Sequence, residues 1–102
     1  MATTLLVQYK PPADAETFEK RYLTEHLTIL DRYEGMRNAR FYRLARPLAG
    51  ESPYTHTFIA EWDSKDAMMA DISSDAGKEA LANAVDIAPQ GFDVVVLEQL
   101  SR

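Results

Sequence analysis

Apolar positions along this chain recur with two different periods. Between residues 15 and 33, Phe18, Tyr22, Leu23, His26, Leu27, Ile29, Leu30 and Tyr33 gather on one side at about 100° per residue. Lys20, Arg21, Thr24, Glu25, Thr28, Asp31 and Arg32 gather on the other. That spacing predicts one long amphipathic helix. Asp14 is placed to cap it, Glu16 suits its positive end, and Gly35 is placed to close it in the left-handed conformation.

Elsewhere the period is two or the run is short. Leu5-Leu6-Val7-Gln8-Tyr9 reads as a strand that Lys10-Pro11-Pro12 stops, because proline donates nothing to a ladder. Residues 38–46 carry Phe41 and Tyr42 without an apolar helical stripe, so a strand is expected there. A loop over 47–53 follows. From Tyr54 to Trp62 one face carries Tyr54, His56, Phe58, Ala60 and Trp62, and the other Thr55, Thr57, Ile59 and Glu61. Asp63 or Ser64 starts a helical piece that ends near Ser73-Ser74, a second runs from Asp75 to Ala88, and Phe92 to Glu98 is a last strand.

The order strand, helix, strand, strand, helix, strand is the α+β, ferredoxin-like βαββαβ arrangement, a four-stranded antiparallel sheet with its helices on one face. Both parities of the first and last strands are apolar: Leu5 and Val7 against Leu6, Val94 and Val96 against Val95 and Leu97. Helices cover one face only. The other is expected to bury itself against a second copy, giving a homodimer joined through its sheet faces. An enclosed space within reach of His26 is expected to come with that association.

Length and composition narrow the chemistry. The 102 residues fit a single domain over 1–102. Without cysteine there is no thiolate nucleophile, disulfide or zinc ribbon, and two histidines make a structural metal site a poor expectation. A net charge of −5 argues against nucleic acid and anionic lipid as partners. No basic leader or membrane-length apolar run is seen, so the expected compartment is the cytoplasm. Arg37, Arg40, Arg43 and Arg46 alternate faces on their strand, which suits ion pairing with the many carboxylates; an anionic ligand held by Arg43 is the alternative.

Phe18-x3-Tyr22-x2-Glu25-His26, then Ile29 and Gly35-Met36 ahead of a strand, with Ser73-Ser74, Gly77 and Asp86 further on, resembles the EthD family of dimeric α/β-barrel proteins. The resemblance spans nearly the whole chain. Two positions depart from the family's pattern: Thr28 and Glu34 stand where proline is common. The resemblance implies oxidoreductase-type chemistry, namely cofactor-independent oxygenation, dehydration or isomerisation of a hydrophobic small molecule. It implies no cofactor. Haem on a single histidine is the alternative, since related barrel families degrade haem.

His26 is the central candidate. One reading is a buried neutral imidazole that merely satisfies its hydrogen bonds; the other is a general acid/base lining a pocket between helix and sheet. Tyr22, one turn earlier, would orient the imidazole or the substrate, whereas Glu25 points about 100° away and makes a poor dyad partner. Tyr33, Phe41, His56, Phe58 and Trp62 are expected to line the substrate pocket, or else to be core. The competing functional class is a non-catalytic binding or accessory module for a hydrophobic metabolite or a partner oxygenase. Which sheet face lines the cavity stays open at this level.

Overall fold

Alternation of side chains builds the sheet. In β1 (Thr3–Tyr9) and β3 (His56–Trp62) every second residue is buried, the buried sets being Thr3, Leu5, Val7, Tyr9 and His56, Phe58, Ala60, Trp62. A computed structural model, which describes residues 2–100, pairs these strands antiparallel with Leu5 opposite Ala60 and Val7 opposite Phe58. Strand β2 (Arg37–Arg43) adds to β3 and β4 (Phe92–Glu98) to β1, both antiparallel, in the order β2-β3-β1-β4. This is the ferredoxin-like sheet. The expected domain bounds of 1–102 include Met1, Ser101 and Arg102, which lie outside the described residues.

Strands β2 and β3 are shorter than expected. β2 stops at Arg43 rather than Arg46, and β3 starts at His56 rather than Tyr54. The register between β2 and β3 shifts between Arg37 and Arg40, where Asn38 takes a φ of 53°. Asparagine tolerates that left-handed conformation better than most residues, which suits a bulge.

The first helical region is not one regular helix. It comprises α1 (Ala15–Arg21), a π-helical turn over Tyr22–His26, and α2 (Leu27–Leu30). Asp14 caps α1 by accepting from Thr17 N–H at 3.2 Å. In the π turn the Leu27 N–H reaches back five residues to the Tyr22 carbonyl. Local chemistry favours this departure. Thr24 Oγ1 donates to the Lys20 carbonyl at 2.7 Å and Thr28 Oγ1 to the Thr24 carbonyl at 2.8 Å, giving those carbonyls partners outside the regular ladder. One consequence corrects the helical wheel: Leu23, expected on the apolar side, is 55% exposed.

The helix also ends earlier than expected. After Leu30 the chain tightens through Arg32 N–H to Ile29 O and Tyr33 N–H to Leu30 O. Gly35 does not serve as a left-handed cap; positive φ among the described glycines belongs to Gly50 and Gly91. Its use is spatial, since a Cβ there would sit 3.2 Å from Trp62 Cδ1. Buried Asp71, on α3 (Lys65–Ile72), holds this corner by accepting from Glu34 N–H and Gly35 N–H at 2.9 Å each and from Trp62 Nε1–H at 2.7 Å. Burial pushes the Asp71 carboxyl upward, but the donors from Trp62, Glu34, Gly35 and Met36 outweigh it and hold it below its usual value.

Ser64 and Ser74 cap α3 and α4 (Asp75–Ile87) by accepting from Ala67 and Gly77 N–H at 3.1 Å each. Ala76, Ala80, Ala84 and Ile87 make the buried stripe of α4, and small side chains let that helix lie close to its neighbours. The core joins Tyr9, Phe18, Tyr22, Phe58, Trp62 and Met68 with the aliphatic residues around them; each side chain of this size contributes roughly 1.5–3 kcal/mol on burial.

The opposite sheet face is bare. Val95 and Leu97 are each 41% exposed and Tyr42 51%, beside half-buried Leu6 and Ile59. The helix layer also stops short of the edge strand, leaving Val94 and Val96 about half exposed. At the junction of α3 and α4, a Cβ on Gly77 would overlap the backbone carbonyls of Ile72 and Asp71. Gly77→Ala is therefore expected to lower stability by about 1–3 kcal/mol, read as a reduced urea midpoint; an unchanged midpoint would refute this account of the junction.

Candidate active site

An open cavity of about 200 Å³ lies within one protomer, between the helices and the sheet. Leu5, Val7, Tyr9 and Phe58 form its sheet wall, and Leu30, Ala80 and Ala84 stand on its helical side. His26 lines it. This cavity lies behind the sheet and under the helices, between helix and sheet as the acid/base reading of His26 has it, and not on the bare face. The reason is the alternation in β1 and β3, which turns the aromatic parity toward the helices.

Of the expected pocket residues, His26, Tyr33, Phe58 and Trp62 do share this cavity. The Trp62 N–H is committed to Asp71. Tyr22 and Phe41 stand behind His26. Their rings stack 3.8 Å apart at 12°, and the Tyr22 ring lies 4.9 Å from that of His26. Phe41 instead borders a second cavity of about 200 Å³ with Leu27, Met36 and Ala39; Leu30 and Phe58 line both. Tyr22 is fully buried and its hydroxyl has no hydrogen-bond partner among the described residues. Burial drives that hydroxyl well above its ordinary pKa, so it stays a neutral phenol.

His56 is elsewhere. It is buried against Phe18 and Phe41, with Nε2 2.8 Å from Glu19 Oε2 and Nδ1 2.9 Å from Thr55 Oγ1, so both ring nitrogens are engaged. Glu19 also receives Arg43 through two hydrogen bonds of 2.7 and 2.5 Å. This pairing occupies the arginine offered as an anion holder. Arg37 pairs with Asp63, and Arg40 lies 3.7 Å from Glu61.

The chemistry of His26 turns on Asn83, a residue that sequence reasoning did not single out. His26 Nδ1 lies 3.0 Å from Asn83 Oδ1, and Asn83 Nδ2 donates to Glu25 Oε1 at 3.1 Å. Because the amide nitrogen serves Glu25, the amide oxygen accepts, and His26 Nδ1 must carry the hydrogen. Nε2 is then the unprotonated nitrogen. Glu25 is fixed in turn by Arg21 at 2.9 and 3.0 Å, and Arg21 reaches Asp86 at 2.7 Å. Burial lowers the His26 pKa below its usual 6.5, opposed by the Asn83 bond, so the neutral base persists into mildly acidic solution. One signal for Asn83 was available: a poor helix former in mid-helix, one residue from the buried Ala84 of the apolar stripe.

The cavity beside His26 is small for the haem alternative. A cavity of about 200 Å³ is below the roughly 300–1,000 Å³ of drug-sized ligand sites, and a haem is larger than those ligands. No group of three or more His, Asp or Glu side chains able to hold a metal lies among the described residues.

No protein-family profile and no curated protein matches the chain. Solved structures do. An ethyl tert-butyl ether d (EthD) family protein from Bacillus halodurans superposes with a TM-score of 0.88 at 21% identity, covering 98% of this chain and 100% of that one. A dimeric ferredoxin-like protein of unknown function from Jannaschia sp. gives 0.77 at 21%, covering 97% and 100%. SnoaB from Streptomyces nogalater, a cofactor-independent oxygenase, gives 0.72 at 13%, covering 99% and 95%. At these identities the shared property is the fold, and the likeness to EthD proteins holds at that level. No described helix is long and apolar enough to cross a membrane.

The Glu19 cluster yields a pH prediction. Arg43 first, and His56 second, hold the Glu19 carboxyl down to about 2 from its usual 4.5. A depressed carboxylate contributes stability in full above pH 4.5 and loses it as pH falls toward 2. Glu19→Gln should therefore destabilise the protein at neutral pH and flatten that acid limb in chemical denaturation between pH 4.5 and 2. An acid limb identical to wild type would refute the assignment.

Proposed function

We propose that this protein is a small, cofactor-independent enzyme in which His26 Nε2 takes a proton from a hydrophobic substrate held in the helix-side cavity. The observation that carries this reading is the single hydrogen-bonded arrangement of His26: Nδ1–H engaged by Asn83, the imidazole on an apolar cavity wall. A carbon- or oxygen-bound substrate proton passes to Nε2 and its electron pair stays on the substrate as an enolate or phenolate. Nδ1–H keeps its bond to Asn83 Oδ1 while the ring is cationic. Such an anion is the entry to oxygenation, dehydration or isomerisation. SnoaB, described as a cofactor-independent oxygenase, has the same fold, which supports the first of these.

Tyr22 packs the imidazole in place and is a positioning residue. Phe58, Tyr33 and Trp62 supply aromatic contact to the substrate; Phe41 and His56 act behind the wall. The bare sheet face with Val95 and Leu97 supports a homodimer joined there, as does the dimeric state described for the Jannaschia neighbour. The accessory-module reading would be favoured by a solid core with both imidazole nitrogens bonded. The open cavity favours catalysis instead.

The test uses phenylacetone, a hydrophobic monocyclic carbon acid of a size the cavity admits, in deuterated water. Exchange of its α-hydrogens, followed by NMR, should be accelerated by the wild-type protein. His26→Gln should remove about 10²–10⁴-fold of that acceleration with the fold intact. Equal exchange by the variant would overturn the proposal. The acid limb of exchange should fall below the ordinary imidazole pKa of 6.5, because burial keeps His26 neutral there. Asn83→Ala, which frees the tautomer, should lower the rate and move that limb.

A further inference from the structure

The cavity is chemically selective in a way that goes beyond apolarity. The chain carries 16 acidic against 11 basic residues, yet no aspartate or glutamate is among the residues that line this cavity. One cationic side chain is: Lys78, on α4 and exposed, at the mouth beside Leu81 and Val94. No carboxylate lies within ion-pair distance of it among the described residues; the same holds for Lys10, Lys20, Lys65 and Arg46, and Lys78 differs from these in lining the cavity. In a protein of net charge −5, the mouth of this cavity is thus a place where a cation is present and its counter-charge is missing.

Size limits the other end of the ligand. An apolar cavity of roughly 150 Å³ accepts benzene; this one, at about 200 Å³ and open on one side, has space for one ring and a short chain leading to the mouth. From these observations we infer that the ligand is a monocyclic hydrophobic acid, its ring among Phe58, Tyr33 and Trp62 and its anionic group at Lys78. This rests on the cavity being the binding site, as proposed above, and names the ligand class that fits it. A carboxylate at Lys78 leaves the remainder of the molecule to face His26.

The experiment compares 3-phenylpropanoate with its uncharged amide, 3-phenylpropanamide, on the full-length protein. Binding is read by calorimetry and by the fluorescence of Trp62, the one tryptophan in the chain and part of the cavity wall. The acid should bind about fivefold or more tightly than the amide at low salt, a preference that declines as salt is raised. Lys78→Met should abolish the difference by weakening the acid alone, and Lys78→Arg should restore it. Lys65→Met, at an exposed lysine of α3 outside the cavity lining, should leave the preference in place. Equal binding of acid and amide, or a preference that survives Lys78→Met, overturns the inference while leaving the apolar cavity standing as a binding site. Binding of neither compound overturns both.

Discussion

The hydrogen bond between His26 Nδ1 and Asn83 Oδ1 joins the π-helical turn to α4 and fixes which imidazole nitrogen is free. Its direction is not arbitrary. Glu25 takes the amide's donor side and Arg21 holds Glu25, so the charge at the surface orients a neutral pair beneath it. Without that chain of contacts the imidazole could carry its hydrogen on either nitrogen, and half of those states would present a donor where a base is required.

The π turn brings this about at a cost in regular helix bonding, offset by the packing it permits. Tyr22 and His26, its first and last residues, lie on one side with rings 4.9 Å apart, and Phe41 stacks on the far face of Tyr22. Tyr9 meets both Phe18 and Tyr22, at 5.2 and 5.8 Å. This aromatic column is what separates the two histidines into different chemistry. His26 faces the cavity, with burial pressing it toward neutrality. His56 lies against Phe18 and Phe41, where a carboxylate and a hydroxyl occupy its two nitrogens.

Much of the architecture could be read from local pattern. The serine caps at Ser64 and Ser74, the Asp14 cap and the parity of β3 stand where those residue types put them, because each depends on neighbours within a few positions. Boundaries were less legible. Arg37 to Arg46 is uniform in composition, so nothing local marks the end of pairing at Arg43. Gly35 looked like a helix terminator, but its neighbours in space are Trp62 and Asp71, far along the chain. The site divided in the same way: an imidazole on an apolar helix face was visible, whereas its partner Asn83 lies 57 residues away and met no motif.

What the sequence by itself determined, then, was the order of elements, the two faces of the sheet and the position of one histidine among aromatics. These follow from periodicity and short-range hydrogen bonding, which act along the chain. Tertiary structure alone decided that the cavity lies under the helices, that His26 is a single tautomer with its second nitrogen unprotonated, and that His56 is tied to Glu19 instead. Each of those outcomes depends on which distant side chains meet once the layers pack, and a linear pattern holds no record of that geometry.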